Sequence, residues 1–463
     1  MRYLLLIAFL LFVSQSALAT ESSLKLPPYK KVKLTNGMTL FLVEQNEIPL
    51  VNFSIALRAG STGDPNGKEG LASITASMLR KGTKTRTADK ISSELDFVGG
   101  SLFFGARLEY SAGAAEFLKK DLNVGLDLLS DVLINPTFPK DELDKLLKKR
   151  IDEVIQTKES PDVAIDQYYD SYLYADHPYS RPTRGSEKSL ANITLDDVKK
   201  FYDDYYTPEN LIVAVVGDFT TSQMEAQIRE KFEKWTKKSS QSSSKLSEPT
   251  LSKGHRLLLV DKPDATQTYF NIGNTSVNRY NPDRVGIDVV NTLFGVRFTS
   301  MLNTALRINS GLSYGAVSNF NLLKAGGDFR ISTYTQNATT EKAMDLALDI
   351  LKQLHEKGIT EEQLKSTKIY VKAQMATTLE TSGQIAAQLT NLEIYGLDEK
   401  EINDYFSKVD SLTLDQTKQI IAKYFPLENL VFVLIGKKDD VGEVIKKYAP
   451  KIDTRKIEAP GFN

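Results

Sequence analysis

Two stretches of this chain carry residue types and spacings that could do chemistry. The first is Gly70-Leu71-Ala72-Ser73-Ile74-Thr75-Ala76-Ser77-Met78-Leu79-Arg80-Lys81-Gly82-Thr83. Its periodicity predicts a helix over 69–80 with Leu71, Ile74 and Met78 on one apolar stripe. Ser73 and Ser77 then share one face, one turn apart, with Ala76 beside them. Two imidazoles at that spacing, with a carboxylate between, would make a zinc site. Two hydroxyls and a methyl do not, because Ser is a poor zinc ligand at neutral pH and Ala moves no proton. The second stretch is Leu306-Arg307-Ile308-Asn309-Ser310-Gly311-Leu312-Ser313-Tyr314. Here Arg307 is expected to end a helix, Gly311 to follow its cap, and Tyr314 to sit early on the next strand. A guanidinium and a phenol can both donate hydrogen bonds to developing negative charge. From spacing alone the plainer reading prevails: an Arg favoured by the helix dipole and a half-buried strand Tyr.

Other chemistry is quickly bounded. The chain has three histidines, His177, His255 and His355, far apart in sequence, and no cysteine. Neither a His pair at helical spacing nor a thiolate site can be read, and no nucleophile–His pair is legible. The expectation is that this chain binds no metal by itself. With 58 Lys and Arg against 59 Asp and Glu, its net charge of -1 gives no bulk attraction to nucleic acid or anionic lipid. Lys-rich stretches around Lys119-Lys120 and Lys145 to Arg150 alternate with acids and read as solvated helix faces.

The elements that must position these residues fall into two halves. Arg2, the apolar run Tyr3 to Val13 and the small-x-small site Ala17-Leu18-Ala19 predict a signal peptide over 1–19. That run is too short to span a bilayer, so the expectation is an exported chain with no membrane span after cleavage, periplasmic in a two-membraned bacterium. Residues 237–254, rich in Ser and Lys, read as a flexible linker between domains at 20–236 and 255–463. The halves share an ending. Thr194-Leu195-Asp196 and Thr413-Leu414-Asp415 each open a capped helix that leads, through a turn, to an apolar strand ending at Gly217 or Gly436. The offset is 219 in both cases, 413 minus 194 and 436 minus 217. One recurring offset argues for duplicated domains. In the first half, Asn36-Gly37 predicts a hairpin within 32–42, followed by a strand over 51–57, helices over 69–80 and 88–98, a strand over 101–107, and helices over 120–133 and 140–157. Mixed hairpins and helices of this kind predict α+β domains, helices packed on a largely antiparallel sheet.

These residues resemble the pitrilysin/insulinase zinc peptidases, in particular their bacterial two-domain and mitochondrial-processing-peptidase-like members. In the family's His-x-x-Glu-His frame, the His positions fall on Ser73 and Ser77 and the Glu on Ala76. Gly99-Gly100-Ser101-Leu102, the helix 121–133 with its Asn135-Pro136 exit, Asp176-His177-Pro178-Tyr179-Ser180-Arg181-Pro182 and Tyr206-Thr207-Pro208-Glu209-Asn210 carry the resemblance along nearly all of the mature chain. It implies two homologous domains in a clamshell arrangement. Counting back from Ser160-Pro161, the family's third ligand falls on Glu153, a solvated Glu beside Lys149 and Arg150 once the His pair is missing. Leu102, Phe103, Phe104 and Gly105 match the edge strand that receives an extended peptide. Arg307 and Tyr314 match the pair that binds the substrate carbonyl and steadies the oxyanion, while Asn309 and Ser310 depart from the residues usual between them.

Some bacterial relatives split the peptidase between a chain with the zinc helix and a chain with the Arg/Tyr pair. The resemblance therefore implies a non-zinc subunit of a heteromeric zinc endopeptidase. Its partners would be a homologous subunit carrying His-x-x-Glu-His and the zinc, and a peptide substrate. The alternative is a catalytically inactive scaffold or peptide-binding protein of the same fold. An independent peptidase that uses Ser73 or Ser77 is the weakest reading.

Overall fold

The computed structural model describes residues 24–239, 246–251 and 253–462. The expected signal peptide and the middle of the expected linker lie outside them. Asn36-Gly37 turns the chain between β1 (Lys30–Lys33) and β2 (Thr39–Glu44), with Gly37 at φ 95°, a conformation that strains any residue with a Cβ. With β3 (Leu50–Leu57), β4 (Ser101–Ala106), β5 (Ser111–Leu118) and β6 (Leu211–Gly217) they form a sheet in the order β1-β2-β6-β3-β5-β4. Only β2 and β6 run parallel. A second sheet has the order β12-β7-β11-β8-β10-β9. Its strands are β7 (Arg256–Asp261), β8 (Gln267–Ser276), β9 (Ala316–Leu322), β10 (Gly327–Gln336), β11 (Val431–Gly436) and β12 (Lys451–Lys456). The duplication is visible in the caps as well. Thr194 and Thr413 each accept from the backbone of the residue three positions on, and the side chains of Asp197 and Gln416 reach back in return.

The helices expected over 69–80, 88–98, 120–133 and 140–157 run Leu71–Met78, Ala88–Phe97, Leu122–Ile134 and Lys140–Thr157. One expectation fails locally. Tyr314 precedes β9 in a loop rather than lying on a strand, and it is exposed rather than half-buried.

The packing between the halves explains why β6 and β11 are apolar without alternation. Leu211, Val213 and Val215 pack on the first domain's own helices, while Ile212, Ala214 and Val216 meet Ile385, Ala386, Leu389, Leu392 and Ile394. Those residues belong to the Ser382–Tyr395 helix of the second half. In return, Val431, Val433 and Ile435 of β11 join Ile165, Tyr168, Tyr169 and Leu173 of the Pro161–Tyr174 helix, which comes from the first half. Each half therefore covers the far face of the other's sheet. A strand buried on both faces needs apolar residues at every position, and each fully buried Leu, Ile or Val side chain contributes about 1.5–3 kcal/mol.

Polar contacts follow the same exchange. Ser54 and Thr390 hydroxyls lie 2.8 Å apart, and Tyr172 donates to Asp453 at 2.7 Å. Arg330 on β10 reaches Asp328 at 2.7 Å, Asp166 at 3.1 Å and Asp170 at 2.6 Å, the last two on the Pro161–Tyr174 helix. Among the described residues one helical stretch, Arg284–Asn309, has the length and apolar character of a membrane span. Val285, Ile287, Val290, Phe294, Leu302 and Leu306 of that stretch are buried in the second domain's core.

Candidate functional site

The Leu71–Met78 helix is fixed at its start by Asp64. That buried carboxylate accepts from the Gly70 and Ala72 backbone N–H groups, each at 2.8 Å, and so satisfies two donors the helix leaves orphaned. The helix packs against β4, the edge strand. Ser73 and Ala76 are buried and Ser77 is partly so. The Ser77 hydroxyl donates back to the Ser73 carbonyl at 2.8 Å. The Ser73 hydroxyl accepts from Arg150 Nη1 at 2.9 Å. Arg150 and Glu153 both lie on the Lys140–Thr157 helix.

Glu153 is consumed by cations. Arg150 Nε lies 3.3 Å from it, Lys149 Nζ 3.9 Å, and Arg184 forms a close ion pair with it. Burial, then the like charge of Arg184, pushes the Arg150 guanidinium down, with Glu153 opposing. This donor set does not fit zinc: two hydroxyls with hydrogen-bonding partners, a methyl, one carboxylate shared by guanidiniums, and a cation reaching into the frame. Nor do His177 and His355 convert the serines into nucleophiles. His177 is committed to the Ser247 carbonyl at 2.9 Å and the Tyr179 N–H at 3.1 Å, and His355 to the Phe425 carbonyl at 2.7 Å.

On β4 the side chains alternate. Leu102 and Phe104 are buried, Phe103 is 63% exposed, and Gly105 lies under the Phe103 ring. One edge of this strand has no β-partner among the described residues.

Arg307 lies in a π-helical turn, Thr304–Asn309, an element frequent at functional sites. Its guanidinium stacks over Phe298, 4.9 Å from the ring centroid. Ser310 closes the turn, its hydroxyl donating to the Ala305 carbonyl at 2.8 Å, and Gly311 follows at φ 62°. The loop to β9 is pinned from β10: Thr333 donates to the Gly315 carbonyl at 2.7 Å and Thr335 to the Leu312 carbonyl at 2.7 Å. Tyr314 stands on this pinned loop 78% exposed. Among the described residues neither Arg307 nor Tyr314 makes a hydrogen bond or ion pair. Ile308 and Val317, nearby in the chain, are exposed as well. Sequence reasoning missed Arg150, Arg184 and Phe298. Only Arg150 left a trace, three residues before Glu153 and so on the same helical face.

Two six-stranded domains, each a sheet packed with helices, place the chain among two-domain peptidase-like folds. The chain belongs to the M16 family of insulinase- and pitrilysin-like peptidases. Residues 40–187 match the insulinase (peptidase family M16) model and residues 192–371 the peptidase M16 inactive domain. It is 24% identical to an uncharacterized zinc protease of Mycobacterium leprae, over 84% of this chain and 88% of that one. It is 22% identical to one of Bacillus subtilis, over 88% and 98%. In fold it is similar to a peptidase M16 inactive domain from Pseudomonas fluorescens, with TM-score 0.83, 24% identity, and 89% and 98% of the two chains covered. A protease from Helicobacter pylori gives TM-score 0.80 at 21% identity, covering 89% and 100%.

Proposed function

We propose that this chain is the non-zinc subunit of a heteromeric zinc endopeptidase, exported to the periplasm, that binds peptide and steadies the transition state in trans. One observation carries the reading. Arg307 and Tyr314 are displayed outward on a pinned turn and loop, Arg307 stacked on Phe298 and neither in a hydrogen bond or ion pair among the described residues, while Arg150 reaches into the Ser73 frame. A scaffold has no need of two uncommitted donors held in place.

The exchanged helices support the need for a second chain. The far faces of both sheets are already filled, so a chamber for peptide has to be completed from outside. Zinc and the water it activates would come from the partner's His-x-x-Glu-His helix. This chain's part is binding and positioning. Arg307 and Tyr314 donate to the carbonyl oxygen as charge develops there, each charge-assisted bond contributing on the order of 1.5–3 kcal/mol. The pinned loop keeps both donors in place before substrate arrives, so little ordering is required at the moment of reaction. The β4 edge offers backbone groups to an extended peptide.

A second reading, an inactive peptide-binding member, is favoured by Arg150 itself, because a filled frame serves binding as readily as assembly. Affinity capture of the full protein from its native envelope separates the two. A stoichiometric M16 partner of similar size with an intact His-x-x-Glu-His helix supports the subunit reading. Recovery of the chain without such a partner supports the peptide binder.

A further inference from the structure

Around the vacated metal frame the charges do not balance. Arg150, Arg184 and Lys149 surround the single carboxylate of Glu153. Arg150 is the most enclosed of the three, and its Nε is buried without a hydrogen-bond partner among the described residues. Arg184 is more than half exposed, so its close ion pair with Glu153 is open to solvent. Uncompensated positive charge held in a partly buried place attracts an anion, and a guanidinium's planar fork matches a carboxylate in particular.

Placement says which carboxylate. The frame sits on the helix packed against β4, whose outer edge has no β-partner among the described residues and whose Phe103 and Ser101 face outward. A peptide added to that edge as a strand runs past the Ser73–Ser77 face. Small side chains stand at Ser73, Ala76 and Ser77, and the Arg150 guanidinium reaches the Ser73 hydroxyl at 2.9 Å.

We infer that the former metal frame is a carboxylate-binding subsite, built from Arg150, Arg184 and Ser73, for an acidic group of a peptide lying along β4. The inference rests on the peptide-binding part of the proposed function and not on the zinc partner. The carboxylate has two possible sources, a peptide C-terminus or an Asp or Glu side chain, and both present the same oxygens.

Fluorescence anisotropy on the full protein tests it with three versions of one short, fluorescein-labelled Val/Thr-rich peptide. One ends in a free carboxylate, one in an amide, and one in an amide with a central Asp. The expected result is that one or both acidic forms bind at least about tenfold tighter than the neutral amide, roughly 1.4 kcal/mol. Arg184→Ala, at an exposed position where folding is not at stake, should remove most of that preference. Preference for the first form identifies a C-terminus; preference for the third, a side chain. Equal binding of all three, binding of none, or a preference unchanged in Arg184→Ala overturns the subsite. Such a failure leaves the capture of a zinc-bearing partner untouched. An acidic preference without such a partner would sink the subunit reading and leave the subsite standing.

Discussion

Arg150 crosses from the Lys140–Thr157 helix to the Leu71–Met78 helix and places Nη1 2.9 Å from the Ser73 hydroxyl. Its Nε lies 3.3 Å from Glu153. One guanidinium thus links Ser73 to Glu153, the positions where the resemblance expects the first and third metal ligands. A hydrogen bond and an ion pair make that connection.

Restoring the motif alone, as Ser73→His, Ala76→Glu and Ser77→His together, should not produce tight zinc binding. Arg150 stays within reach of residue 73 and keeps a positive charge beside the metal. Adding Arg150→Leu should allow it. Competition with a chromophoric chelator reads both variants, and tight zinc uptake by the three-substitution variant would show that Arg150 does not block the frame.

The exchanged helices predict one cooperative unfolding event. Leu389 is buried between the Ser382–Tyr395 helix and the first sheet. Leu389→Ala should cost about 2–5 kcal/mol and lower a single transition followed by circular dichroism. Two separated transitions, only one of them shifted, would mean the halves fold independently.

Arg330 makes a sharper case. Its side chain is 9% exposed and faces three carboxylates, with Asp328 wholly buried. Tyr174 also donates to Asp328 at 3.0 Å. Burial pushes the Asp170 carboxyl up, Arg330 opposes, and Asp328 and Asp166 add to the rise. Removing the cation leaves buried negative charge unpaired, so Arg330→Leu should cost about 3–5 kcal/mol in denaturant titration. A loss below about 1 kcal/mol would contradict this arrangement.

Asp131 sets a pH dependence of definite sign. Burial raises its carboxyl, but hydrogen bonds from Thr83 at 2.6 Å, Thr85 at 2.8 Å, Arg86 at 2.9 Å and Asn135 at 3.1 Å outweigh that and hold it below the usual aspartate range. A depressed folded value means stability present above the unfolded value, about 3.9, and lost as pH falls through the folded one. Asp131→Asn should therefore cost about 1.5–3 kcal/mol at neutral pH. The difference from the parent should shrink below about pH 4, and a pH-independent difference would remove the charge from the explanation.

Much of this architecture was legible. Asn36-Gly37, the Thr194 and Thr413 caps and the 219-residue offset are local signals, and local physics decides them. The exchange of helices was not legible, though its trace was present. Pro161–Tyr174 carries Ile165, Tyr168, Tyr169, Leu173 and Tyr174 around much of its circumference, the mark of a helix buried on more than one side. Periodicity says that such a helix needs two partners, not which sheet supplies the second. Tyr314 was misplaced for a similar reason. Thr333 and Thr335, about twenty residues further along, pull the Leu312–Gly315 segment away from the strand. Arg150 read as a solvated lysine-type charge because nothing in its neighbourhood names Ser73, far off in the chain, as its acceptor.

Action of Arg307 and Tyr314 in trans on a substrate carbonyl is the proposal most exposed to test. The most direct measurement is steady-state turnover of the assembled complex carrying Arg307→Ala or Tyr314→Phe, with assembly checked by size-exclusion chromatography. For each variant kcat/KM should fall about tenfold or more, from about 1.5–3 kcal/mol per lost bond, with the complex intact and its zinc content unchanged. Normal turnover by both variants in an intact complex would contradict it.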